Sequence, residues 1–266
     1  MVSSTGRVVG NFRAALFRVE GHWVWYRRHW HSTVFTSIGQ PVLFLAAMGI
    51  GFGSQVHADA ATGGLPYLVY LAPALLVASA MQVAVGESSY PVLSGFKWQK
   101  DFLAVTATPI TSGQLLAGQL IWVGLRLLLA GVGYLAIAAC FGALSSLWVL
   151  LALPVALLVG LACGALVMAL AATITTDGNA FNALFRFVVM PMTLFAGTFF
   201  PVSSIPAFLR PLAWITPLWH GTALARAAAF GGMGMAAVLA HVAYLVVLLV
   251  LGVLLARWRF RRRLVV

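Results

Sequence analysis

The chain reads as an all-α polytopic membrane protein, and three observations carry that expectation. From Phe102 to Thr176 it holds a single charged residue, Arg126. A run that long and apolar can cross a hydrocarbon layer of ~30 Å twice, at ~20 residues per helical crossing. Of its 266 residues, 62% are hydrophobic and only 8% charged, against ~25% charged in soluble domains. The remaining charge is mostly basic, net +11, and gathers at the ends of apolar runs. That placement is the one expected of anchors facing an anionic leaflet, and it argues against nucleic acid as the partner of the basic residues.

The elements follow in order as one membrane domain over residues 1–266. Residues 7–31 form an interfacial amphipathic helix: Val9, Phe12, Leu16, Val19, Trp23 and Tyr26 recur at steps of three and four, interleaved with Arg13, Arg18, Arg27 and Arg28. Trp23, Trp25, Tyr26 and Trp30 match an aromatic belt; a helix packed on another domain is the alternative. Six spans are expected, at 34–54, 66–86, 114–141, 147–173, 181–200 and 236–256, the first interrupted early by Pro41. No cleavable signal precedes them, since no early apolar core leads to a small-residue cleavage site. Gly160 and Gly164 make a small-xxx-small pair in the fourth span. Thr175 to Asn179 reads as a tight turn in which Asp177 or Asn179 caps the fifth helix. Residues 201–220, apolar but broken by Pro206, Pro211 and Pro217, read either as short re-entrant helices or as a simple surface helix.

Charge then sets orientation. Arg7, Arg13, Arg18, Arg27 and Arg28 precede the first span, Lys97 and Lys100 lie between the second and third, and Arg257, Arg259, Arg261, Arg262 and Arg263 follow the sixth. The alternate loops are poor in base, with Asp59 the only charge in 55–65 and none in 142–146. An even number of spans with both termini cytoplasmic, in the plasma (inner) membrane, satisfies this pattern. Arg126 is the clear intramembrane charge; it faces a polar cavity, pairs with a carboxylate such as Glu87, or snorkels to the interface.

Several chemistries are missing. The only lysines, Lys97 and Lys100, are followed by Trp98 and Asp101, so no phosphate-binding G-x-x-x-x-G-K-[ST] loop exists. No H-E-x-x-H occurs, and His29 and His31, two apart, project to different sides of a helix. Cys140 and Cys163 lie in separate apolar runs without metal or redox spacing and read as buried small hydrophobes. Five acids in all, none deep within a span, leave neither the carboxylate cluster of a lipid-directed enzyme nor the buried relay of an ion-coupled carrier. The driving energy is therefore expected from a partner.

Particular segments carry a resemblance. Trp98, Thr106 to Ile110, Leu115 to Trp122 and Arg126 resemble the NodJ-like branch of the type-2 ABC exporter permeases, which also includes daunorubicin-resistance-like permeases. So do Gln40 to Leu45 leading into Gly49 to Gly53, Tyr70 to Pro73 with Ser79 to Met81, Phe195 to Pro201 with Ile205 and Pro206, and Pro217 to His220 with Arg226. The resemblance implies a permease subunit that works as a homo- or heterodimer with two copies of a cytosolic ABC ATPase. ATP and Mg are held by that ATPase, and no cofactor or metal by this chain. It implies a coupling helix at 96–105, with Phe96, Lys97, Trp98, Lys100, Asp101 and Phe102 meeting the ATPase; Pro91 shifts where that helix begins. A substrate pathway along the interface between permeases takes Gln40, Gln82, Gln119, Trp122 and Arg126 as candidates. The expected function is export of an amphipathic small molecule, drug or lipid-linked substrate. The alternatives are export of a polysaccharide or lipo-oligosaccharide and, from another class, an ion-coupled secondary carrier.

Overall fold

The computed structural model describes residues 10–47, Gly51 and residues 64–264. All regular elements among these residues are helical. The far end of the expected first span, at 48–50 and 52–54, and the following residues through 63, with His57 and Asp59, lie outside them.

The expected interfacial helix and first span are one element, α1 (Asn11–Ala46), 36 residues long and continuous through position 41. No glycine or proline separates Trp30 from Val34, so nothing local ends the helix there. α2 (Tyr67–Ser88) is the innermost helix and keeps Pro73 inside it, buried. The expected coupling helix is two helices: α3 (Tyr90–Lys97), with Pro91 in its first turn, and α4 (Asp101–Thr106). Lys100 breaks the run by taking a left-handed backbone, φ 54°, a conformation non-glycine residues seldom adopt. We call this break the elbow.

α5 (Ser112–Cys140) starts with a reciprocal cap: Gln114 N–H donates to Thr111 Oγ1 at 3.3 Å and Thr111 N–H to Gln114 Oε1 at 2.8 Å. A tight turn at Leu147–Leu151 then leads into α6 (Ala152–Ala171). The Gly160 and Gly164 pair faces α2: an added Cβ at Gly160 comes within 3.3 Å of Ala80 O, and one at Gly164 within 2.9 Å of Ser88 Oγ. Of the two cysteines, Cys163 is buried as expected, whereas Cys140, at the last turn of α5, is exposed.

α7 (Asn179–Leu184) and α8 (Met190–Phe195) join through a widened turn at Phe185–Val189, where Met190 N–H reaches back to Phe185 O. Pro191 follows at once, and a widened turn accommodates its missing donor. The helix begins at Gly178, φ 83°, with no side-chain cap, so neither Asp177 nor Asn179 caps it. Asp177 instead holds Lys97, Nζ to Oδ1 2.6 Å. α9 (Arg210–Ile215) has Pro211 in its first turn and α10 (Pro217–Phe230) starts on a proline, and Thr216 caps α10 by accepting from Trp219 N–H at 3.3 Å. α10 packs into the bundle, with Gly221 pressed on Val159 and Val77 so closely that a Cβ would lie 2.5 Å from the valine methyl. α11 (Met235–Leu264) runs through the arginine cluster, beyond the span expected at 236–256.

Among the described residues four helical segments are long and apolar enough to cross a membrane: Tyr67–Lys97, Ser112–Cys140, Leu147–Ala171 and Met235–Leu264. Asn179–Phe195 is apolar but shorter. α6 stands between α2 and α11, and α1 lies along α5. The buried core is largely Leu, Val and Ala from α2, α5, α6 and α10.

Candidate functional site

The elbow is held from three directions. Arg18 of α1 pairs with Asp101, Nη1 to Oδ2 2.8 Å, and its guanidinium lies 5.0 Å over the ring of Phe102. Lys97 reaches Asp177 in the turn before α7; that bond is the main reason the Asp177 carboxyl is held below the ordinary carboxylate range. From the last turns of α11, Phe260 closes an aromatic triad with Phe96 at 4.8 Å and Phe102 at 5.9 Å. Phe96 and Phe102 meet edge-on at 4.8 Å. Arg263 lies 4.4 Å over the Phe96 ring and donates to Ala171 O at 2.9 Å. Gly95 is required where Phe102 crosses α3, because a Cβ there would sit 2.5 Å from the ring.

Of the residues expected to meet a partner at this elbow, Phe96 and Phe102 face inward and are buried. Trp98 is 51% exposed, and Lys100 and Leu103 are exposed beside it. Lys97 and Asp101 are half-buried and occupied in ion pairs. The outward face is thus an indole, an ammonium and a leucine.

A second cluster lies between α1, α2 and α5. Arg126 is 5% exposed and pairs with Glu87, Nη2 to Oε1 3.0 Å and Nε to Oε1 3.1 Å. Its guanidinium also stacks 4.9 Å from the Tyr26 ring. Pairing with Glu87, one of three readings open from sequence, is therefore the observed arrangement. His22 stacks on Trp122 at 5.2 Å and bonds Gln119 at 2.8 Å. With Gln119 Oε1 as acceptor, His22 Nε2 carries the proton. Burial above all, and then the Arg18 cation, lower the His22 pKa to about 4. Gly118 lets α1 come this close, since a Cβ there would lie 2.7 Å from Ala15 O.

The structure thus brings Gln119, Trp122 and Arg126 together, buried against α1. Gln82 is apart from them, half-buried on α2, with its amide 3.5 Å from Thr193 Oγ1. Gln40 lies on α1, and its side chain is outside the described residues.

Sequence reasoning missed Arg18, His22, Phe260, Arg263 and Arg226 as contact-making residues. Arg18 was legible only as part of the basic face of an amphipathic helix, and His22 only as one of several scattered histidines. Phe260, an aromatic amid arginines at the end of a span, carried no signal of its own. At the opposite end of the bundle, Arg226 of α10 donates to Gly197 O at 2.6 Å and Thr198 O at 2.9 Å. These carbonyls follow the end of α8, where the chain turns at Gly197 with φ 82°. The guanidinium fills the role that backbone donors lack there. It also lies 4.0 Å over the Tyr70 ring.

A bundle of apolar helices, four of its segments long enough to cross a membrane, is the form of an integral membrane protein. Residues 19–230 match the family model described as ABC-2 type transporter, and the chain belongs to that family. It is similar to the nodulation protein J of Rhizobium leguminosarum bv. viciae, 30% identical over 247 residues that cover 91% of this chain and 93% of the relative. The nodulation protein J of Sinorhizobium fredii is 30% identical over 91% of this chain and 92% of its own length. That of Rhizobium meliloti is 30% identical over 74% and 76%.

Proposed function

We propose that this chain is the permease subunit of an ATP-driven exporter for an amphipathic or lipid-linked substrate, and that its elbow receives the stroke of a separate ABC ATPase. The observation that carries this reading is the elbow's construction. One short break displays Trp98, Lys100 and Leu103 outward, while Arg18, Asp177 and Phe260 tie it to α1, to the turn before α7 and to α11. Aromatic and basic side chains of this kind are typical anchors at protein interfaces. A push on such an elbow moves three helices together. That suits a rigid tilt of two permease bundles between two states, biased by nucleotide on the partner.

In this reading the chain has six spans: α1 beyond its basic portion, α2, α5, α6, α7 with α8, and α11. Both termini and the elbow lie on the cytoplasmic side of the plasma membrane, as the arginine distribution favours. α9 and α10 are the re-entrant hairpin on the outer side. Two permeases, identical or not, pair with two ATPase copies that hold ATP and Mg. The cargo passes between the permeases; a lipo-oligosaccharide, which the NodJ-like resemblance implies, is the second cargo to test. An ion-coupled carrier is disfavoured because Glu87, the acid nearest a span interior, already holds Arg126.

The test is co-purification with a cytosolic ABC ATPase, with ATP hydrolysis read in proteoliposomes. Trp98→Ala with Lys100→Ala is expected to lower stimulated hydrolysis at least tenfold while the complex stays folded. If no ATPase binds, or hydrolysis is indifferent to the double variant, the elbow is not the coupling element.

A further inference from the structure

Arg226 is a guanidinium in an enclosed site with no carboxylate partner among the described residues. Two neutral carbonyls accept from Nη1 and Nη2, but carbonyl dipoles do not balance a full charge, and an unbalanced charge away from water is costly. Two more buried polar atoms here lack a partner, Nε of Arg226 and Oγ1 of Thr198. Tyr70, buried under the guanidinium, makes no hydrogen bond through its hydroxyl among the described residues. All three groups can donate. Among the described residues no acceptor serves them, and no negative charge faces the guanidinium. A water could satisfy the hydrogen bonds but not the charge.

Beside these donors the walls are aromatic. Tyr67 donates to Phe199 O at 3.1 Å, and Phe199 packs on Phe44 at 5.2 Å. A polar cluster of one cation and two hydroxyl side chains next to such rings suits a molecule with an anionic head and an apolar body.

We propose that Arg226, Thr198 and Tyr70 form an anion site for the phosphate, sulfate or carboxylate head of an amphiphile. That this head belongs to the exported cargo rests on the exporter reading above; the site itself does not. Arg226 supplies the charge and the Nε donor, Thr198 and Tyr70 supply hydroxyl donors, and the rings hold the body. The charge-assisted bonds are the strong part of the recognition. Asp59, the one acid of the segment before α2, is the intramolecular rival for Arg226 and is tested directly.

The experiment uses the purified full chain in an uncharged detergent and follows its thermal unfolding midpoint during titration with phosphatidylglycerol, phosphatidylcholine or inorganic phosphate. Phosphatidylglycerol is expected to raise the midpoint saturably and phosphatidylcholine to leave it unchanged. Thr198→Val and Tyr70→Phe should each raise the half-saturating concentration by about five- to tenfold, the effect of one lost hydrogen bond. Arg226→Gln should abolish the response, and Arg226→Lys should keep part of it. Basic residues at the other end also attract anionic lipid, so the difference between variant and wild type is the readout. A response to inorganic phosphate as well marks a small-anion site, and a response to the lipid alone marks an amphiphile site; both support the proposal. Wild-type titrations for both Thr198→Val and Tyr70→Phe overturn it, even if Arg226→Gln does not fold. So does a response that appears only once Asp59→Asn is introduced, because Asp59 would then be the counter-ion. No ATPase is present in this assay, so its outcome and that of the coupling test are independent.

Discussion

Arg126 and Arg226 both lie over a tyrosine ring in enclosed sites, yet one meets a carboxylate and the other two backbone carbonyls. The Glu87 carboxylate closes the charge of Arg126 within the chain and ties α5 to α2. Arg226 instead satisfies carbonyls freed where α8 ends, and no carboxylate pairs with it among the described residues. The ends of the bundle differ in the same sense. At the basic end, Arg18, Lys97 and Arg126 each have an acid, and a Phe96–Phe102–Phe260 triad seals the gap. At the hairpin end, Arg210 also turns to backbone carbonyls, those of Ile205 and Ser203. Irregular backbone away from water must be satisfied by protein, and arginine can reach several carbonyls at once. One end is thus assembled from side-chain pairs, the other from side chains serving the backbone.

Removing the aromatic seal should have the largest effect. Phe260→Ala empties a fully buried site and should lower unfolding stability by about 3–5 kcal/mol. Phe208→Ala in the hairpin, 77% exposed, should change it by less than about 0.5 kcal/mol. Denaturation of the two variants in the same detergent compares them directly; equal losses would mean that the triad is not a structural seal. Next is the closed ion pair. Glu87→Gln leaves a buried guanidinium without its carboxylate and should cost about 2–4 kcal/mol, most of it regained in the double variant Glu87→Gln with Arg126→Met. Arg226→Met should cost less, about 1–2 kcal/mol, because it strands two carbonyls but removes an unbalanced charge. A larger loss for Arg226→Met than for Glu87→Gln would reverse the contrast drawn between the two arginines.

His22 adds a dependence on acidity at the basic end. Its folded pKa of about 4 lies below the ordinary 6.5, so the buried ring is neutral. As the pH falls below 6.5 the unfolded chain takes up the proton first, and stability declines until the pH reaches about 4. Unfolding midpoints measured across that window should fall more steeply in the wild type than in His22→Gln, which retains Asp101 and Glu87. Equal slopes would show that the ring is not held neutral. The smallest effect belongs to the Lys97–Asp177 pair, whose carboxylate side chain is 84% exposed: Lys97→Ala or Asp177→Asn should leave the midpoint unchanged. A clear shift would mean that the turn before α7 is fastened to the elbow more firmly than solvent-exposed charges allow.

Much of the architecture was legible in the chain. α2, α5, α6 and α11 announce themselves because twenty-odd apolar residues in a row have few other fates. Glu87 was among the readings for Arg126 because so few acids exist to choose from. Less was legible at the joints. The run 96–105 shows no glycine or proline, yet the chain breaks at Lys100 because α4 must turn back to seat Phe102 against Gly95 and Phe260. Asp177 sits where a cap belongs, but Lys97 engages it. Trp98 was grouped with Phe96 and Phe102, and only the packing of α11 turns the phenylalanines inward and leaves the indole out.

By itself the sequence determined that this protein lives in a membrane, which segments are apolar enough to enter it, and which end carries the positive charge. Those properties depend on transfer free energy summed over neighbouring residues, so they need no knowledge of what lies alongside. The tertiary structure alone decided which arginine finds an acid, which finds carbonyls, and which aromatics are spent on packing. Such choices are made between residues as far apart as Phe96 and Phe260, or Arg226 and Gly197. Distance, direction and exclusion of water set them, and none of these is written along a single helix.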